Sequence, residues 1–272
     1  MDPWSFVRRP DVREDRLRLL IRRISLALVD RVAPRALLRP YSFRLTDGTM
    51  MTVNLGDSVA RDLFVHGTFE WATLAAWRKS LPVGGVAVDV GAHVGTFTLA
   101  AARRVGARGR VIAFEPNPMT RAHLSLNVEQ NGFGGRVDIL PYALLDRDGQ
   151  MSLGTPILEN PGMSRLGLAG VTVECRTLDD VLDSLGIQGV DAIKIDVEGF
   201  EDAVLSGAGK MLAAGPVVIM EVNGGEAVAR LRELGYELAT PYGESFVDGK
   251  AHERPGESVN VVAVRPQAVA RP

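Results

Sequence analysis

From residue 86 onward, apolar runs of strand length alternate with segments of helical period, and few folds accommodate that order. "VAVDV" precedes a helical stretch to about residue 105, and "RVIAFE" precedes another from about Pro118 to Asn131. "RVDILPYAL" leads through Asp148-Gly149 to a short strand, and "VTVECR" precedes a helix opened by Thr177, a natural N-cap. "DAIKIDV" precedes a helix from about Gly199 to Leu212, and "PVVIMEV" precedes "GGEAVARLRELG". "YELAT" and "VNVVAV" then follow with no helical pattern between them. The alternation predicts an α/β fold with a mostly parallel, doubly wound sheet and helices on both faces. The last two strands are expected as an antiparallel pair at one edge.

Residues 1–82 form an extension ahead of a domain at 83–272, with Pro82-Val83-Gly84-Gly85 as punctuation. Residues 1–40 carry ten arginines against five acids. Leu17, Leu20, Ile21, Ile24 and Leu28 recur there at helical spacing, with Arg16, Arg18, Arg22 and Arg23 largely off the stripe. Such a basic amphipathic helix lies on anionic lipid, docks on a partner, or covers the domain's own core; the last is the plainest reading. "FRLTDGTMMTVNL" reads as a hairpin turning at Asp47-Gly48. A helix follows from about Glu70 to Ser80, with Trp71, Leu74 and Trp77 on one face.

Composition narrows the function classes. A net charge of −2 gives no global pull toward nucleic acid, and none is expected as a partner. Cys175 is the only cysteine, which excludes an internal disulfide and a cysteine-based metal site. No apolar run has the length of a membrane span, and arginines stand where a signal peptide would need an apolar segment. A cytoplasmic location is the expectation; a homo-oligomer stays open.

Ligands of open α/β sheets sit at the carboxyl ends of the strands. That gathers Asp89 to Thr96, Glu115 to Asn117, Tyr142 to Leu144, Asp196 to Glu198, and Glu221 with Asn223 around one cleft. "VAVDVGAHVGTFTLA" keeps Gly91 and Gly95 but holds His93 where a dinucleotide loop has its second glycine. That glycine lets backbone approach a pyrophosphate, so a ligand without phosphates is favoured. Glu115, twenty residues beyond Gly95, ends the second strand where a carboxylate takes ribose hydroxyls. An adenosine without a pyrophosphate, facing acidic strand ends suited to a cation, describes S-adenosylmethionine.

"VDVGAHVGTFTLAAA", "VIAFEPNP", "LDDVL", "DAIKIDVEGFEDAVLSGA" and "VVIMEVN" together resemble the FkbM family of S-adenosylmethionine-dependent methyltransferases, from about Asp57 to Val264. The resemblance implies a class I methyltransferase fold, Rossmann-like, with seven strands and an antiparallel last strand. It also implies O-methylation of a sugar, glycolipid or polyketide-type metabolite. Carried over, Asp89, Gly91 and Gly95 line the methionine side, with His93 and Thr96 in the same loop. Glu115 holds the ribose, Pro116 and Asn117 border the adenine, and backbone at Ala143 meets its edge. Gly67 and Glu70 match a Gly-x-x-Glu segment that folds over the cofactor. The family usually has Asn where this chain has His93.

Methyl transfer to an alcohol needs alignment and a base within hydrogen-bond reach. Asp196 and Glu198, ending strand four, share a side if that strand persists, with Lys194 as their partner. Asp196 is therefore placed at both acceptor and cofactor. Glu221 and Asn223 face the substrate, and Glu201 is structural. Asp196 with Glu221 offers oxygen ligands for a divalent ion, but two ligands without an acidic triplet leave no metal residue assigned. The acceptor is a small molecule or glycan, shaped by loops 154–170 and 243–258; His66 and His252 read as packed or surface residues. Competing readings are a cofactor-binding partner protein without turnover, an RNA or protein methyltransferase, and NAD-dependent oxidation.

Overall fold

The computed structural model describes residues 16–154, 165–222, 225–246 and 259–266. After β1 (Pro40–Arg44) and β2 (Met50–Asn54) of the extension, the main sheet begins with β3 (Val86–Val90), α4 (Thr96–Val105), β4 (Arg110–Phe114), α5 (Pro118–Gln130) and β5 (Val137–Leu140). A smaller sheet follows, made of β6 (Ala143–Leu144), β7 (Gly149–Gly154), β8 (Arg165–Leu166) and β9 (Val171–Arg176), and then α6 (Leu178–Ser184). The chain rejoins the main sheet with β10 (Ala192–Ile195), α7 (Glu201–Ser206), α8 (Gly209–Ala213) and β11 (Val217–Val222). It ends through α9 (Gly225–Glu233), β12 (Glu237–Ala239) and β13 (Val259–Val264).

Seven strands lie in the order β12-β13-β11-β10-β3-β4-β5. The pairs β11/β10, β10/β3, β3/β4 and β4/β5 are parallel, and β13 is antiparallel to both its neighbours. The central strands are apolar almost throughout because both faces are covered. Ala87, Val111 and Ala113 point into a core shared with α4, α5 and the extension. Val88, Ile112 and Phe114 point the other way, toward residues of α6, α7, α8 and α9.

One sequence expectation about the sheet is met and two are corrected. The last two strands pair antiparallel at one edge of the sheet, as expected, with β12 outermost and β13 between it and β11. Val261, Val262 and Ala263 are fully buried and need cover on both faces, whereas Glu237 of β12 is exposed, as an edge permits. "VTVECR" belongs to the smaller sheet; only Val173 and Cys175 of β9 are buried, the one-sided pattern of a sheet with a solvated face. The helix expected from 199 to 212 is two helices broken at Gly207, where a Cβ would run into the Leu145 carbonyl.

The extension comprises α1 (Arg16–Val32), a 3-10 turn at Pro34–Leu38, a hairpin of β1 (Pro40–Arg44) and β2 (Met50–Asn54), α2 (Ser58–His66) and α3 (Trp71–Ser80). The hairpin turns where Asp47-Gly48 predicts it, with Gly48 at φ 83° and Asp47 Oδ1 accepting from Thr49 N. Phe43, Met51, Leu63 and Trp77 share one core with Phe97 and Leu99 of the sheet domain. Asn127 of α5 ties the two parts by polar contact as well. Its Oδ1 accepts from Thr52 N at 2.7 Å, and its Nδ2 donates to Thr52 O and Val94 O. The stripe on α1 does not cover the core: Leu20, Ile21, Ile24 and Leu28 are exposed. The inward face is Leu26 and Val29, with Arg22 donating to Phe64 O and lying over the Phe64 ring.

Candidate functional site

A cavity of about 210 Å³ opens at the carboxyl ends of β3, β4, β10 and β11, lined by Val90, Gly91, Phe114, Glu115, Asp196 and Glu221 among others. Ordered water occupies about 30 Å³ per molecule, so this is space for an organic ligand. The loop after β3 is held by Gly91 N and Ala92 N, which both donate to Phe114 O. Gly91 adopts φ 79°, and a Cβ there would collide with the Asp196 carbonyl oxygen. Gly95 adopts φ 101° at the start of α4, backed by Leu124. Both glycines therefore answer to backbone geometry and close packing.

His93 stands between them at φ 52° and joins three elements. Its N–H donates to Glu115 Oε2 at 2.9 Å, and its Nε2 lies 3.3 Å from Oδ2 of Asp57, the N-cap of α2. Burial alone favours the neutral ring, but the hydrogen bond and charge of Asp57, with Glu115 and Asp196, outweigh it and hold the His93 pKa above its ordinary value. Glu115 Oε1 accepts from Asn117 N at 2.8 Å, so backbone donors orient both carboxylate oxygens. Burial still pushes the Glu115 pKa upward against His93, those two donors and Arg121. Asn117 itself caps α5, accepting from Met119 N.

Across the cavity, Lys194 is 4% exposed and donates from Nζ to Asp196 Oδ2 at 2.9 Å. Its ammonium lies 4.5 Å from the centroid of the Phe97 ring. Burial works against the charge, yet Asp196, Asp89 and Glu70 together raise the Lys194 pKa, so the cation persists. Burial raises the pKa of Glu70 and of Asp89, with Lys194 opposing in each case. Asp89 is fully buried and bonds to Thr98 Oγ1 at 2.6 Å.

The structure brings Glu70, Gly91, His93, Thr96, Glu115, Pro116, Ala143, Asp196, Glu198 and Glu221 to the cavity wall. Asp89, Gly95 and Asn117 stand behind that wall and support it; they are not among its lining residues. Strand β10 ends at Ile195, which corrects the expected extension to residue 198: Glu198 sits in a left-handed turn at φ 54°. Glu201 is buried and accepts from Gly199 N, so it shapes that turn. His66 ends α2 outside the wall. Asn223, His252 and most of the loops at 154–170 and 243–258 lie outside the described residues, although Leu153, just before the first loop, and Leu166, within it, line the cavity. Val59, Phe69 and Phe97 also line it and were not singled out by sequence. Asn260 hydrogen-bonds the Glu70 side chain; its signal was one amide in the apolar run "VNVVAV".

Two features mark the cavity as a ligand site. Glu70, His93 and Glu198 are the non-glycine residues with positive φ among the described residues, and all line it. Left-handed backbone costs a side-chain-bearing residue energy that only its surroundings can maintain. Buried Glu70 Oε2, Thr96 Oγ1 and Thr120 Oγ1 also line it without a hydrogen-bond partner among the described residues. Buried polar atoms are normally hydrogen-bonded, so these are candidates to meet ordered water or a ligand's polar groups. No group of three or more His, Cys, Asp or Glu side chains suited to a metal ion occurs among the described residues.

Comparison with known proteins decides the family. Residues 89–238 match the model of the methyltransferase FkbM domain, more than half of the chain. The chain belongs to the FkbM methyltransferase family. Its seven-stranded sheet is the class I fold of S-adenosylmethionine-dependent methyltransferases. The hexuronic acid methyltransferase AglP of Haloferax volcanii is 32% identical over 139 residues, covering 50% of this chain and 55% of that protein. Methyltransferase sdnD of Sordaria araneosa is 30% identical over 162 residues, 47% of this chain and 62% of that one. The matches thus reach less than two thirds of either relative's length. A SAM-dependent O-methyltransferase of Thermotoga maritima superposes with TM-score 0.45 at 16% identity, over 83% of this chain and 77% of its own. At that distance the likeness bears no weight.

Proposed function

We propose that this FkbM protein transfers a methyl group from S-adenosylmethionine to a hydroxyl of a sugar, glycolipid or polyketide-type metabolite. The observation that carries the reading is the charge of the cavity: among the described residues Glu70, Glu115, Asp196, Glu198 and Glu221 line it against the one ammonium of Lys194, with His93 at one side. A pyrophosphate has no welcome there, whereas a cationic ligand does. The similarity to a hexuronic acid methyltransferase supports a sugar acceptor.

When bound, S-adenosylmethionine supplies a methyl group on a positively charged sulfur. Glu115, oriented by the backbone of His93 and Asn117, is the residue to accept from ribose hydroxyls. Thr96 and Thr120 offer hydroxyls that lack partners in the protein. Phe114, Pro116 and Tyr142 supply flat apolar wall for a base, beside the backbone of Ala143. Asp196 is the candidate base. Lys194 pins its Oδ2, while Oδ1 carries no hydrogen bond among the described residues and can take the acceptor's proton. Glu198 and Glu221 position the acceptor.

Calorimetry with S-adenosylmethionine, followed by transfer of a tritiated methyl group to a panel of sugars and glycolipids, tests the proposal. Saturable cofactor binding with label in a hydroxyl of one acceptor class is the expected result. Binding of NAD(H) in place of S-adenosylmethionine overturns it. Binding without transfer to any acceptor favours a partner protein without turnover.

A further inference from the structure

We infer that α1 docks the protein onto an anionic bilayer surface. Leu20, Ile21, Ile24, Leu28 and Val32 are each between 54% and 72% exposed. With Leu38 and Tyr41 they make up seven of the thirteen exposed large apolar side chains among the described residues, all within residues 20–41. Concentration of that kind marks an interaction surface, whereas scattered apolar residues do not. The helix is held from behind by Leu26, Val29, the Arg22 bond to Phe64 O and the paired bonds from Arg61 to Asp30. Its outer face is therefore presented by a fixed element.

Charge identifies the occupant. Arg23, Arg31, Arg35 and Arg39 are exposed beside the apolar residues. Asp30 is the only acid in α1, and Arg61 already takes it. Arg31 follows Leu28 by three positions and Ile24 by seven, which places it on the apolar face itself. A second copy laid on this face would bury Arg31 against another arginine-rich α1, with no free acid on that helix to meet it among the described residues. A bilayer interface instead takes the aliphatic side chains below the headgroups and lets arginines reach lipid phosphates. Its negative surface potential matches a segment with ten arginines and five acids over residues 1–40. At 17 residues α1 is suited to lie in that plane, and no described helix is long and apolar enough to cross a membrane. Arg22 approaches Gly67, three residues before the cavity-lining Glu70, so the docking helix is close to the cleft wall.

Flotation of the full chain with two vesicle preparations tests this without reference to catalysis. One is pure phosphatidylcholine, and the other contains about one third phosphatidylglycerol. The chain is expected to float with the anionic vesicles alone, less so as salt rises through about 0.5 M. Ile24→Ser/Leu28→Ser should weaken partition about tenfold or more, because it removes apolar insertion without changing charge. Arg23→Gln/Arg31→Gln should weaken it as well, and both variants should keep the parent's thermal unfolding temperature, since these side chains are exposed. Failure to float with anionic vesicles overturns the inference, as does undiminished binding by Ile24→Ser/Leu28→Ser. A dimer that this variant dissolves, with no vesicle binding by the parent, replaces the bilayer by a second copy.

Discussion

At Asp196 one carboxylate oxygen is pinned by the Lys194 ammonium, and the other carries no hydrogen bond among the described residues. Asp196→Asn should lower kcat by about 10²- to 10⁴-fold, the usual worth of a general base. Its S-adenosylmethionine Kd, read by calorimetry, should stay near the parent's; unchanged turnover removes Asp196 from the role. Glu115→Ala should reverse the split, weakening the cofactor about 10- to 100-fold through lost charged hydrogen bonds while sparing more of kcat. His93 yields a pH signature. Its folded pKa lies above the ordinary value, so its stabilisation is complete below the unfolded pKa near about 6.5 and is lost as pH rises through the folded value. The gap in unfolding free energy between parent and His93→Ala should therefore be wider at pH 6 than at pH 9. A gap that widens with pH contradicts the Asp57–His93 pairing.

At the scale of elements, Asn127 links α5, β2 and the loop after β3 in one set of hydrogen bonds. Asn127→Leu strands the buried N–H and carbonyl groups it served, at about 1–3 kcal/mol for each unsatisfied group. Chemical denaturation should show a loss of several kcal/mol, since three backbone groups lose their partner, and cofactor affinity should fall as well because Val94 belongs to the ligand loop. The strand–helix alternation, the Asp47-Gly48 turn and the acids Glu115, Asp196 and Glu221 at three strand ends were legible in sequence because each follows from local chemistry. Asn127 was not, since an amide inside a helix does not announce partners 33 and 75 residues away. The α1 stripe was legible as a stripe, but periodicity says which residues share a face and not which face turns inward. Likewise "VTVECR" gave a strand correctly and its sheet wrongly, since a run of six residues carries little information about its neighbours. Val59 and Phe69 reach the cavity only because the extension folds against the sheet, a long-range fact with no local signal.

For the whole molecule, the extension is part of the folding unit: Trp77, Leu63 and Met51 are fully buried in a core shared with α4. A fragment starting at residue 83 should lose the cooperative unfolding transition seen by circular dichroism, since it uncovers that core and removes Asp57 from His93. A fragment with a sharp transition and parental cofactor affinity would show the extension to be dispensable. Two of the left-handed residues at the cavity carry a last consequence, one of evolutionary engineering. Glycine relaxes such backbone positions, so Glu70 and Glu198 are places where a screen for heat resistance alone can accept Gly. Each such change would delete a cavity-lining side chain, so improvement by temperature and improvement by turnover should pull these two codons in opposite directions, whereas the Asp57 pairing holds His93 in place under either screen.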